Sequence, residues 1–127
     1  MALPVDATKP IIKGNDHILT LQGVIDKNGA LIDMSAANGW VIVTFFLKRK
    51  ASDDDSLLEL PATRTGVFNA SSLLNTQAWV AALPAETSED LPAGTWYYAW
   101  KRMDEDLEAD LSYGKQTVID TASELAA

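Results

Sequence analysis

The chain has 127 residues, of which 47% are apolar and 22% charged, and it carries a net charge of −8 at pH 7. A chain of this length forms one domain that buries about two-thirds of its unfolded surface, and its acidic balance argues against binding nucleic-acid phosphates. It contains no cysteine and one histidine, His17, which excludes disulfides, cysteine-ligated metal centres and multi-histidine metal sites.

Residues 1–9 are predicted to form a flexible N-terminal arm. Pro4 and Pro10 lack the N–H group that a strand ladder uses, and each favours extended geometry in the residue before it. The segment has neither the basic start nor the apolar centre of a signal peptide. We therefore expect the protein to be made in a cytoplasm.

The first half of the chain predicts two main strands. Residues 17–25 are rich in β-branched and apolar side chains, and Asn28-Gly29 behind them is a strong hairpin signal that leads into a short extended piece over 30–34. Residues 40–50 carry apolar side chains on both faces, which is typical of a central strand. This apolar stretch is far too short to span a bilayer, so no membrane association is predicted.

The second half predicts shorter elements. Residues 57–60 form a strand candidate that Pro61 stops, and residues 66–76 are ambiguous. Residues 78–83 fit a strand, which we favour, or the end of a helix that begins at Ser71 or Ser72. An aromatic strand over 95–103 follows the connection 84–94. Extended pieces over 107–111 and 116–119, bent at Gly114, precede a C-terminal tail over 121–127.

About seven extended segments with turns between them, and no long amphipathic helix, predict an all-β antiparallel sandwich over residues 10–120. Four segments also resemble a known family in their order and spacing. They are residues 10–16 (PIIKGND), 26–35 (DKNGALIDMS), 83–98 (LPAETSEDLPAGTWYY) and 111–118 (LSYGKQTV). Together they are similar to the small immunoglobulin-like domain of tailed-bacteriophage structural proteins, in particular the N-terminal domain of baseplate upper proteins.

This resemblance implies a single immunoglobulin-like sandwich and a non-enzymatic role as a virion structural or assembly protein of the tail, baseplate, neck or head. Its expected partners are other phage structural proteins, with the chain itself in a homo-oligomer or ring. It implies no cofactor, synthesis in a bacterial host cytoplasm and a final location in the virion. The alternative function is a carbohydrate- or surface-binding β-sandwich module.

The segment before the aromatic strand predicts a packed corner on physical grounds alone. Leu91 anchors the loop in the core, Pro92 limits its freedom, and Gly94 supplies a conformation that other residues resist. The aromatic residue two positions later, Trp96, then packs back over the corner, as tyrosine does in many sandwich folds.

No catalytic or metal-binding group is predicted. The aspartates at 53–55 and the acidic residues at 104–110 lack the spacing of a calcium loop, and we interpret them as solvated loops. Ser112 and Lys115 match a serine–lysine catalytic pattern without its helix or partner motifs. His17 has no nucleophile motif beside it.

Aromatic side chains supply the candidate partner contacts. Trp96, Tyr98 and Trp100 alternate along one strand and are predicted to belong to the core. Tyr97 faces the other way, and Tyr113 lies in the last extended region. Since tyrosine is enriched in interaction hot spots, Tyr97 and Tyr113 are the predicted contact residues.

Overall fold

A computed structural model describes residues 4–6, 9–50, 56–104 and 109–120 of the chain. These residues form nine strands, one 3₁₀ turn at Ala36–Asn38 and one short helix, α1 (Ala85–Glu89). The strands are β1 (Pro4–Asp6), β2 (Ile11–Ile12), β3 (His17–Gln22), β4 (Val43–Lys48), β5 (Leu58–Pro61), β6 (Thr63–Thr65), β7 (Ala78–Leu83), β8 (Gly94–Arg102) and β9 (Ala109–Ile119).

The strands form two sheets, which confirms the predicted all-β sandwich. The larger sheet, sheet A, has the order β1-β9-β8-β4-β5 with β2 also on β9, and the smaller one, sheet B, has the order β3-β7-β6. Taken in chain order, β3 to β9 match strands B, C, C′, D, E, F and G of an immunoglobulin-like sandwich. The pairing is antiparallel except at β1 and β2, which both run parallel to β9.

Part of the predicted arm belongs to the sandwich, which corrects the boundary at residue 9. Residues 4–6 pair with Tyr113–Lys115 as β1, and Ile11–Ile12 pair with Val118–Ile119 as β2. A proline is compatible with this position because an edge strand leaves half of its N–H groups unpaired. Residues 1–3 and 7–8 of the arm, and the predicted tail 121–127, lie outside the described residues.

The core lies between the sheets and is built by side chains that alternate along β4 and β8. Phe45 packs against Tyr98 and Trp100, with ring centroids 6.1 and 5.1 Å apart. Leu47 from β4 and Trp79 from β7 are almost fully buried in the same cluster. The predicted inward orientation of Tyr98 and Trp100 is therefore confirmed.

Several predicted boundaries change in the structure. Residues 78–83 form strand β7 between β3 and β6, so the helix alternative is wrong. Residues 109–119 form one strand that continues through Gly114, because β8 pairs with it on both sides of this glycine, from Ala109 to Val118. Residues 30–34 make only an isolated bridge, from Leu31 to Ile25. The short strand β6 was not predicted, since Thr63–Thr65 has no apolar alternation.

The corner before β8 has the predicted construction. Leu91 is buried, and Gly94 has a φ of 149°, a conformation that favours glycine. Trp96 folds back over Gly94, and its indole N–H donates to the Pro92 carbonyl at 2.8 Å. Trp96 thus closes this corner with a hydrogen bond to the backbone upstream, as the tyrosine of sandwich folds does.

Candidate interaction surfaces

The two predicted contact residues lie together on the outer face of sheet A. Tyr97 pairs with Lys115 and Ala99 pairs with Tyr113 across β8 and β9, which places the two tyrosines on one face as diagonal neighbours. Diagonal positions of this kind lie about 7–8 Å apart, within reach of aromatic side chains. Each tyrosine is 37% exposed. The structure therefore leaves both accessible to a partner.

Phe46 from β4 extends this outer face, because it pairs with Ala99. The ammonium groups of Lys48 and Lys101 lie 5.8 and 5.9 Å from the centroid of the Phe46 ring. Cations at this distance are attracted by the electron-rich ring face. The outer face of sheet A is therefore aromatic and locally basic, in a chain that is acidic overall.

A second surface lies at one end of the sandwich, where three connections meet. Because β3 and β8 end there while β4, β7 and β9 begin there, the loops 23–42 and 66–77 lie at this end, together with residues 103–104 after β8. We call the described part of these loops, residues 23–42, 66–77 and 103–104, the loop end. Loops gathered at one end of a sandwich are the usual binding surface of immunoglobulin variable domains.

The loop end exposes large aliphatic side chains. Leu73 is 94% exposed and Val41 is 69% exposed, although both are side chains that burial would stabilise. The other members of this group are Ile25, Ile42, Val67 and Leu74. Six of the nine large apolar side chains that the described residues expose thus lie at this one end.

Sequence reasoning missed this surface for two reasons. Val41 and Ile42 continue the alternation of the strand that follows them, and Ile25 continues that of the strand before it. The signal that was available is Leu73-Leu74, an apolar pair between the polar residues Ser72 and Asn75 in a segment with no strand period.

A buried carboxylate holds the Val41–Ile42 backbone in place. Oδ1 of Asp104 accepts hydrogen bonds from the N–H groups of both residues at 2.8 Å. Oδ2 accepts from Nε of Arg102 at 2.7 Å, and Nη2 of Arg102 donates to the Gly39 carbonyl at 2.9 Å. We call this arrangement the Asp104 clamp. It fixes the exposed pair against the end of β8.

The clamp also sets the ionisation of Asp104. Burial disfavours the charged carboxylate and raises its pKa. The hydrogen bonds from Arg102, Ile42 and Val41, together with the charge of Arg102, outweigh burial and hold the pKa of Asp104 below its usual value. Asp104 is therefore an ionised structural group, with both carboxylate oxygens accepting hydrogen bonds from these donors.

Amide side chains link the loop 66–77 to the loop 23–42 and to the end of β3. Oε1 of Gln77 accepts from the Met34 N–H at 2.7 Å, and its Nε2 donates to Oδ1 of Asp33 at 3.0 Å. Gln22 at the end of β3 donates through Nε2 to the Asn75 carbonyl at 2.8 Å. These hydrogen bonds therefore fix the backbone of the two loops that carry the exposed aliphatic side chains.

The residues considered for catalysis have structural positions. The Ile12 N–H donates to Nε2 of His17 at 3.0 Å, which ties β2 to β3. Ser112 pairs with the inward-facing Trp100, whereas Lys115 pairs with the outward-facing Tyr97. Ser112 and Lys115 therefore lie on opposite faces of sheet A and do not act on one substrate.

The predicted acidic loops fall partly outside the described residues, which exclude 51–55 and 105–108. Within the described part of the chain, no group of three histidine, cysteine, aspartate or glutamate side chains is placed to hold a metal ion.

Among the described residues, no helix has the length and apolar content needed to cross a membrane.

No protein-family model matches the chain, and no curated protein matches it in sequence. The geometry of the surfaces, together with the resemblance in the sequence, therefore carries the functional argument.

Proposed function

We propose that this protein is a non-enzymatic module that acts through protein–protein contacts, with the loop end as its main partner-binding surface. One observation carries the proposal: six large aliphatic side chains are exposed at one end of the sandwich, on loops that buried polar side chains hold in place. Concentrated apolar exposure on a small soluble fold is typical of an interaction site.

The support beneath the loop end matters for affinity. Covering one large aliphatic side chain contributes about 1.5–3 kcal/mol before the costs of association. A flexible loop loses part of this gain when binding orders it. Because Asp104 and Gln77 already fix the backbone around Val41 and Met34, less of the gain is lost here.

The resemblance to phage structural domains supports a virion as the place where this contact forms. In this proposal the chain is a bacteriophage or prophage virion component of the tail, baseplate, neck or head. Its partners are other phage structural proteins and further copies of itself in a homo-oligomer or ring. Repetition around a symmetric particle multiplies individually weak contacts. The proposed location is the virion, after synthesis in the bacterial host cytoplasm.

The alternative, a carbohydrate- or surface-binding module, requires exposed aromatic rings beside polar groups. Tyr98 and Trp100 are buried, and the indole N–H of Trp96 is occupied by Pro92. Tyr97 and Tyr113 remain for such a role, whereas the other seven of the nine large apolar side chains that the described residues expose are aliphatic. Aliphatic contacts suit a protein partner better than a sugar.

Quantitative mass spectrometry of gradient-purified particles from the source strain tests the proposal. We expect the wild-type chain at a fixed copy number per particle. The double variant Val41→Asp with Leu73→Asp should fall at least tenfold in the particles, because it places two charges in the contact. Thr117→Asp, an exposed position on β9 far from the loop end, is the matched control and should incorporate normally.

The outcomes separate the two parts of the proposal. Intact particles that lack the wild-type chain contradict the virion setting. Normal incorporation of the double variant contradicts the loop end as the binding surface.

A further inference from the structure

A separate surface, the unpaired edge of β3, has the features of a site for strand addition. We propose that this edge accepts an extended strand from a partner chain, with alternate apolar side chains that enter the cleft between the two sheets. β3 is the terminal strand of sheet B, and β7 is its neighbour on the other side. This site does not depend on the loop end, which lies beyond the end of β3.

The edge of β3 differs from the other sheet edges among the described residues. β5 includes Glu59 and ends at Pro61, β6 has three residues centred on Arg64, and β1 has three residues beginning with Pro4. Short length, charges and prolines are devices that stop a sheet edge from pairing with another chain. β3 is six residues long and contains no acidic residue, lysine, arginine or proline.

The fold leaves a strand position open beside β3. In an immunoglobulin constant-type sandwich, a first strand lies next to the strand that corresponds to β3. Here Ile11–Ile12 pair instead with β9 in the opposite sheet, and so do residues 4–6. No described residue takes the open position. An added strand supplies the backbone partners that this edge lacks.

A cleft of about 470 Å³ opens between the sheets along β3. Its lining is mixed: apolar side chains from both sheets, among them Leu19, Leu21 and Phe45, lie beside polar ones that include Ser112 and Gln116. Successive side chains of a strand point to opposite faces, so every second residue of an added strand faces this cleft. Apolar residues at alternate positions of such a strand meet Leu19, Leu21 and the aromatic rings at the base of the cleft.

A positive charge beside the cleft further limits which partner segments fit the site. Lys9 lines the cleft and is exposed, and its carbonyl accepts a hydrogen bond from Nε2 of the buried Gln116 at 2.8 Å. Lys9 is the one residue with a charged side chain among those that line the cleft. The lysine ammonium favours an acidic residue on the added strand. The inferred partner is an extended segment with alternate apolar residues and an acidic residue at one end.

Peptide titration of the ¹⁵N-labelled full chain tests this inference. The probe is an acetylated, amidated octapeptide in which valine alternates with threonine after an initial aspartate. We expect shift changes concentrated in the amides of β3 and a dissociation constant below 1 mM. A peptide with lysine in place of aspartate should bind at least threefold more weakly to the wild type, and Lys9→Glu should reverse that preference.

Ile18→Lys should weaken peptide binding at least tenfold. Ile18 lies on β3 and is 68% exposed, so the change adds a protective edge lysine without opening the core. Leu73→Lys at the loop end is the matched control and should bind the peptide as the wild type does. The peptide titration thus tests this inference independently of the proposed function, which the loop-end variants test.

Three results overturn the inference. One is the absence of β3 shift changes at 1 mM peptide. Another is protection of every β3 amide from hydrogen exchange in the free full chain, because the chain then covers this edge itself. The third is a concentration-dependent dimer that Ile18→Lys abolishes, since the occupant is then β3 of a second copy.

Discussion

The loop end exposes aliphatic side chains such as Leu73 and Val41, whereas the opposite end of the sandwich exposes acidic ones, including Asp16, Glu86 and Glu89. Both ends are held by polar side chains. At the opposite end Ser88 Oγ donates to the Asn15 carbonyl at 2.8 Å and accepts from the Gly14 N–H at 3.0 Å.

The two ends therefore differ in surface chemistry rather than in how firmly they are fixed. Covering an apolar end with a partner lowers the free energy, whereas an acidic end repels a second copy of itself. The comparison predicts that changes within the loop end alter partner binding, and that changes at the opposite end alter stability alone.

The largest effect is expected from Gly66→Ala, which breaks the support of the loop end. Gly66 has a φ of 76°, and a Cβ there would overlap the Thr76 carbonyl. We expect a loss of about 3 kcal/mol in the free energy of unfolding, from left-handed strain and displacement of the loop. Urea unfolding measures the loss.

Gly29→Ala is the matched control, because Gly29 has a φ of 83° with open space around it. It should cost about 1–2 kcal/mol from backbone strain alone. Equal losses at the two glycines would contradict the close approach of Gly66 to Thr76.

Asp104→Asn removes the charge from the clamp and should cost about 2 kcal/mol, because Arg102 loses its ionic partner in a largely buried site. Denaturant unfolding at neutral pH measures this cost. Partner binding should weaken as well, because the backbone at Val41 is released. A variant with wild-type stability would show that the clamp contributes nothing.

The cost of Asp104→Asn should depend on pH. Because the folded-state pKa of Asp104 is lowered, its stabilising contribution is complete above the usual aspartate pKa of 3.8 and is lost as the pH falls through the folded-state value. The difference between wild type and variant should therefore be constant above about pH 5 and shrink below about pH 4. Unfolding curves from pH 2 to 7 test this sign.

Trp96→Phe changes the opposite end of the sandwich, where β8 begins. It removes the hydrogen bond to Pro92 and should cost about 1 kcal/mol, plus the packing that the smaller ring loses. Partner binding should not change, and an incorporation assay with purified particles measures that. Weaker incorporation of a fully folded variant would contradict the separation of the two ends.

Leu73→Asp should have the smallest effect on stability, within about 0.5 kcal/mol, because the side chain is almost fully exposed. Its expected effect on partner binding is nevertheless large. Thermal unfolding and the particle assay together measure this contrast. A destabilised variant would indicate that Leu73 packs within the folded chain.

Local pattern was enough to predict the parts of the fold that repeat a simple period. The alternation along β4 and β8 places Phe45, Tyr98 and Trp100 in the core, because strand side chains point to opposite faces in turn. The corner at Leu91, Gly94 and Trp96 was also predictable, since glycine and proline constrain the backbone within a few residues.

Only the tertiary structure decided the elements that depend on distant partners. Residues 78–83 fit either a strand or a helix until β3 and β6 pair with them. Residues 4–6 form a strand because β9 offers a free edge. Val41 and Ile42 continue a strand pattern in the sequence, yet Asp104, more than sixty residues away, binds their N–H groups and leaves their side chains exposed. A sequence pattern reflects neighbours along the chain, whereas the proposed binding surfaces arise from contacts between segments that only folding brings together.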